Sequence, residues 1–167
     1  MVKHPFAPLG LLVLAVATAS PVPAAAPGRS EDIRKTTELA LRTDAGPNGA
    51  APGAVAHFVV IAGGIAKDAK LAGPSRAKLD AAVEKTARAG PTDPSSAAAI
   101  SAAYAALNGG RAFAFPPDVK GIDGAKALVR SLSEKSVGAL EAGRAEEAAR
   151  DLLGCVLAIT TPMEAGP

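Results

Sequence analysis

Val55 to Leu71, reading VAHFVVIAGGIAKDAKL, is the longest apolar run outside the N-terminus and the stretch that most limits what this chain can fold into. Val55, Phe58, Val59, Ala62, Ile65, Ala66 and Ala69 recur at helical spacing, so one side of a helix is apolar for about four turns, with Lys67, Asp68 and Lys70 near its end. The spacing predicts a central helix that the other elements pack around. A strand over 54–61 followed by a Gly63-Gly64 turn is the competing reading, because short apolar runs serve either state. A strand needs a partner. The only other candidate, Arg111 to Phe115, is short and runs into Pro116-Pro117, which cannot donate to a ladder, so the helix is favoured. Inside that helix Gly63-Gly64 costs about 1–2 kcal/mol relative to two alanines, and it either lets a neighbouring helix come close or marks a kink.

The rest of the chain punctuates itself with Gly and Pro into further helices. Ser30 offers an N-cap to a helix reaching Thr43, with Glu31 and Asp32 in its first turn, and Asp44 to Gly53 reads as a loop. Gly73-Pro74-Ser75 restarts the chain into a helix ending near Ala89, where Glu84 and Arg88 pair across one outer turn. Asp93 caps a fourth helix with Pro94 at its first position, and Ala97, Ile100, Tyr104 and Leu107 lie along one side. Arg111 to Ile122 is the longest connection. A fifth helix covers roughly Asp123 to Ala142 and a sixth Arg144 to Thr160, whose second half is apolar all round. Short turns favour antiparallel neighbours. The expected fold is all-α: an alanine-rich antiparallel helical bundle of four principal helices plus one or two extra, occupying residues 30–162 as a single domain, with a tail over 163–167.

Residues 1–24 read as a secretory signal, followed by a linker over 25–29. Lys3 gives a weakly positive start, Leu9 to Ala19 an apolar core, and small residues allow cleavage after Ala19 or Ala24. The apolar core is bounded by Pro8 and Pro21 and falls short of the roughly 20 residues a membrane span needs. An exported protein, periplasmic or secreted, is expected, with no membrane span after cleavage. The formal charge is +2, from 18 Lys and Arg against 16 Asp and Glu, and the signal takes away Lys3 and no acid. Near-neutral charge, interspersed signs and 3% aromatics do not make the basic footprint of a nucleic-acid binder, so no nucleic acid is expected. Apolar residues make up 49%, but alanine supplies much of that and buries little area, so stability must come from a modest set of Leu, Ile, Val and Phe.

Chemistry-bearing groups are few. His57 is the sole imidazole past the signal, one position before Phe58, with no carboxylate or second His at i+3 or i+4; a partly buried, hydrogen-bonded His is the expectation. His57, Cys155 and Met163 are a conceivable soft metal trio by ligand type alone, and no metal is assigned to it. Cys155, alone in the chain, excludes an internal disulfide and sits in LLGCVLAI, which reads as a core position and lacks the C-x-x-C-H of haem attachment. The acidic pairs Glu147/Asp151, Asp80/Glu84 and Glu31/Asp32 have cations nearby and read as solvated faces. No G-x-S-x-G, P-loop, H-E-x-x-H or G-x-G-x-x-G is present, and no cofactor is assigned. Phe113 and Phe115 alternate with alanines ahead of a Pro-Pro pair and beside Arg111, so both rings project one way. They either plug the bundle end or anchor a partner. The expected function is an interaction or structural module of the envelope or periplasm. The alternatives are a small-ligand or metal carrier with a pocket near His57 and, more weakly, an enzyme of unrecognised type.

Overall fold

The structure is a computed structural model that describes residues 28–42 and 52–163. The expected signal over 1–24, linker residues 25–27, most of the loop from Asp44 and the tail beyond Met163 lie outside the described residues. Within them the chain is all helical: α1 (Arg29–Arg42), α2 (Pro52–Asp68), α3 (Gly73–Ala89), α4 (Pro94–Leu107), α5 (Gly121–Glu141) and α6 (Ala145–Thr160). The all-α bundle expected from the periodicity is what forms, and the strand reading of 54–61 is replaced by α2.

Local chemistry sets the helix ends. Asp93 has extended backbone and accepts a hydrogen bond from the Ser95 N–H at 2.9 Å, with Pro94 in the first turn, so α4 starts where the sequence places it. At α1 the Ser30 N-cap does not hold: the Asp32 N–H donates to the Gly28 carbonyl at 2.8 Å and Ser30 lies inside the helix. The central stretch starts earlier than Val55 and stops at Asp68. There Lys70 takes a left-handed φ of 53° and the Leu71 N–H returns to the Ala66 carbonyl at 3.0 Å, which ends the helix.

The element enclosed by the others is α6, not α2. Its residues Ala148, Ala149 and Asp151 to Ile159 are buried, because α2, α4 and α5 all pack on it. Leu152, Leu153, Val156, Leu157 and Ile159 each contribute roughly 1.5–3 kcal/mol of burial there. Outside, α1 packs on α2 and α5, and α3 on α2 and α4, while α4 and α5 both rest on α6. The α3/α4 and α5/α6 pairs are joined by short turns and pack on each other. Gly63 is where α3 comes in: a Cβ there would lie 2.7 Å from Val83 Cγ2, so the close approach foreseen for the glycine pair is real.

Candidate functional site

The connection over 108–120, which runs from α4 to α5, brings the expected Phe113 and Phe115 back onto the bundle, with the expected Arg111 at its start. The Asn108 side-chain amide donates to the Arg111 carbonyl at 3.1 Å, which fixes how the connection leaves α4. Phe113 meets Tyr104 of α4 edge-on, ring centroids 5.7 Å apart at 82°, and Phe115 meets Phe113 at 5.2 Å and 77°. All three rings are half-buried against the core, while Arg111 is exposed. Where α6 faces Tyr104 and α5, position 154 is glycine; a Cβ there would lie 3.5 Å from Tyr104 Cε2, an ordinary contact, and 3.2 Å from Leu132 Cδ1 of α5, a tight one.

Close enough to Tyr104 to act on its phenol lies Asp151, one turn before Cys155. It is only 6% exposed, so its side of the Glu147/Asp151 pair is not the solvated face expected. The reason is the enclosure of α6, which leaves little solvent-facing arc for an acid on that turn. Arg150 holds the carboxylate, with Nε donating to Oδ1 at 2.9 Å. Burial still raises the Asp151 pKa, against the opposing pull of Arg150 and Lys135 and with a smaller push from Glu147. Burial also raises the Tyr104 phenol, on which the charges of Arg150, Asp151 and Arg111 act. Sequence reasoning missed Tyr104 and Asp151 as members of this group. For Asp151 a signal existed, since it precedes the inward Cys155 by four residues and so shares its face.

His57 stands elsewhere and differently from its expectation: it is exposed, not partly buried. It lines an open cleft of about 420 Å³ between α1 and α2, together with Arg29, Asp32, Lys35, Leu39 and Val60. Leu39 is 46% and Val60 55% exposed, so the cleft presents apolar side chains beside charged ones. Arg29 crosses Gly64, whose missing side chain leaves room for the guanidinium, and binds Asp68 at 3.1 Å. Cys155 is wholly buried and its Sγ donates to the Val129 carbonyl at 3.5 Å; burial pushes the thiol pKa up, so it carries no nucleophilic thiolate. With His57 in solvent and Cys155 inside α6, the soft trio with Met163 does not converge. Among the described residues no group of three His, Cys, Asp or Glu side chains comes together.

The other acidic pairs are ordinary surface ion pairs. Asp80 binds Arg76 at 2.8 Å, Glu84 binds Arg88 at 2.7 Å and Glu31 binds Lys35 at 2.6 Å. Among the described residues no helix is long and apolar enough to cross a membrane. No family model, no curated protein and no solved structure matches this chain.

Proposed function

We propose that this protein is an exported helical-bundle module that binds another protein or an envelope component through the patch of Tyr104, Phe113 and Phe115, with Arg111 at its edge. One observation carries the reading. The chain has one Tyr and four Phe, and three of these five rings gather at one half-buried place beside an exposed arginine. Tyr, Phe and Arg are the residue types that anchor protein interfaces, and rings held edge-to-face present area at little further entropy cost. Export rests on the apolar core over Leu9 to Ala19 and the small residues after it. The test uses protein recovered from its own host. Its N-terminal mass should show cleavage after Ala19 or Ala24, and an uncleaved chain inside the cell sinks the export half. Capture of an envelope partner should be lost in Phe113→Ala plus Phe115→Ala with helicity unchanged. Undiminished capture sinks the patch.

A second reading, a small-ligand or metal carrier at His57, is favoured by the cleft that exposes Leu39 and Val60 beside that imidazole. Native mass spectrometry of the recovered protein separates the two readings. A bound small molecule or metal lost on His57→Ala supports the carrier, and clean protein with or without the substitution counts against it.

A further inference from the structure

A second cleft, of about 460 Å³, lies between α1 and α5, away from the aromatic patch and from His57. Arg34 and Arg42 come to it from α1 and Arg130 from α5, against the carboxylates of Glu38 and Glu134. Glu141 meets Arg34 at the edge of the cleft, so guanidiniums and carboxylates balance in number and the pull on an anion comes from whichever guanidinium has no ion pair. Two of the arginines are already engaged, Arg42 with Glu38 at 3.3 Å and Arg34 with Glu141 at 3.7 Å, both in exposed pairs. Arg130 has no ion pair among the described residues, although Glu134 follows it one turn on. Its fork of donors is free to take a carboxylate bidentately.

The floor of the cleft narrows the ligand further. Thr37 and Ser133 are 7% and 3% exposed and hydrogen-bond to each other across the α1–α5 contact. Thr37 gives its proton to the Ile33 carbonyl at 2.7 Å, so Ser133 donates to Thr37 and neither hydroxyl has a proton left for an anion. The anion must therefore sit at the guanidinium rim, with Leu41 available to an apolar body below. We propose that this cleft binds a carboxylate carried on a short apolar body, Arg130 holding the carboxylate and Leu41 the body. Such a group comes from a free short-chain acid or from the C-terminus of an apolar peptide.

Amide chemical-shift titration of the protein with hexanoate, hexanol and an apolar tripeptide, with a free or an amidated C-terminus, tests this. Hexanoate, the free-carboxylate tripeptide, or both should shift amides of residues 34–42 and 130–134, and the tighter of the two identifies the source. Arg130→Ala should weaken binding by about tenfold or more, and Arg130→Lys by less, since it keeps the charge and loses the fork. Arg130 is exposed, so neither variant threatens the fold. Failure of both carboxylates at millimolar concentration overturns the proposal, as does equal binding of hexanol or the amidated tripeptide, or an Arg130→Ala protein that binds as well as the parent.

Discussion

Asp151 is an acid inside a helix that three others enclose, and its surroundings decide how the fold responds to pH. Burial disfavours its charged form more than Arg150, bonded to it at 2.9 Å, restores it, so the folded pKa lies above the ordinary value of 3.8. Between those two values the folded chain holds a proton that the unfolded chain has released. Stability from this group is therefore complete below the unfolded value and falls as pH rises through the folded one. The charges that face it are Arg150 on its own helix, Lys135 on α5 and Glu147 one turn back, with Tyr104 of α4 alongside. Asp151→Asn removes the titration and keeps the shape. In urea unfolding from acid to neutral pH, the variant should gain on the parent as pH rises above 3.8 and then keep that gain. A flat difference would mean that the Arg150 pair cancels burial, and one of opposite sign that it outweighs burial.

Two adjacent glycines in α2 answer the same substitution in opposite ways, because different elements press on them. At Gly63 a Cβ would meet the stiff Val83 side chain of α3 at 2.7 Å, so either the two helices or the valine must give. Overpacking of that kind costs about 1–3 kcal/mol, against about 1 kcal/mol gained in helix propensity. At Gly64 the obstacle is the guanidinium of Arg29, the end of a flexible arm whose ion pair with Asp68 is partly exposed. Gly63→Ala should therefore unfold at lower denaturant than the parent, Gly64→Ala at equal or higher denaturant, and the Gly63→Ala loss should shrink in a Val83→Ala background. A Gly63→Ala protein as stable as the Gly64→Ala one would show that α3 is not held against α2. The glycine pair was legible from sequence because a break in apolar periodicity is a local signal, as was the Asp93-Pro94 start. His57 misled because it neighbours Phe58 yet lies about a quarter-turn round the helix, on the exposed stripe of Gly53, His57, Val60 and Lys67. Val60 on that stripe made the apolar run look unbroken. Tyr104, Asp151 and the Phe113/Phe115 pair come together only through the packing of α4 and α5 on α6, which no periodicity along the chain records.

At the scale of the molecule, the enclosure of α6 makes the lone thiol a reporter of opening. Cys155 is wholly buried, bonded to the Val129 carbonyl of α5, and its pKa is pushed up, so a thiol reagent reaches it only when α6 leaves its neighbours. Because α2, α4 and α5 all rest on α6, that departure breaks the core they share, and labelling should track global unfolding rather than local fraying. Where reclosing outpaces reaction, the labelling rate is proportional to the open fraction. Leu152 is fully buried on α6, and trimming such a leucine to alanine costs about 2–5 kcal/mol, out of the roughly 5–15 kcal/mol that holds a domain together. Leu152→Ala should then speed labelling of Cys155 roughly 30- to 4,000-fold. Ile122→Ala, at a side chain 50% exposed, should leave it unchanged. The rate in each variant should match the stability measured by denaturant. Rapid labelling of the native parent, or a Leu152→Ala rate that lags far behind its loss of stability, would show that α6 opens by itself and that the bundle is held together elsewhere.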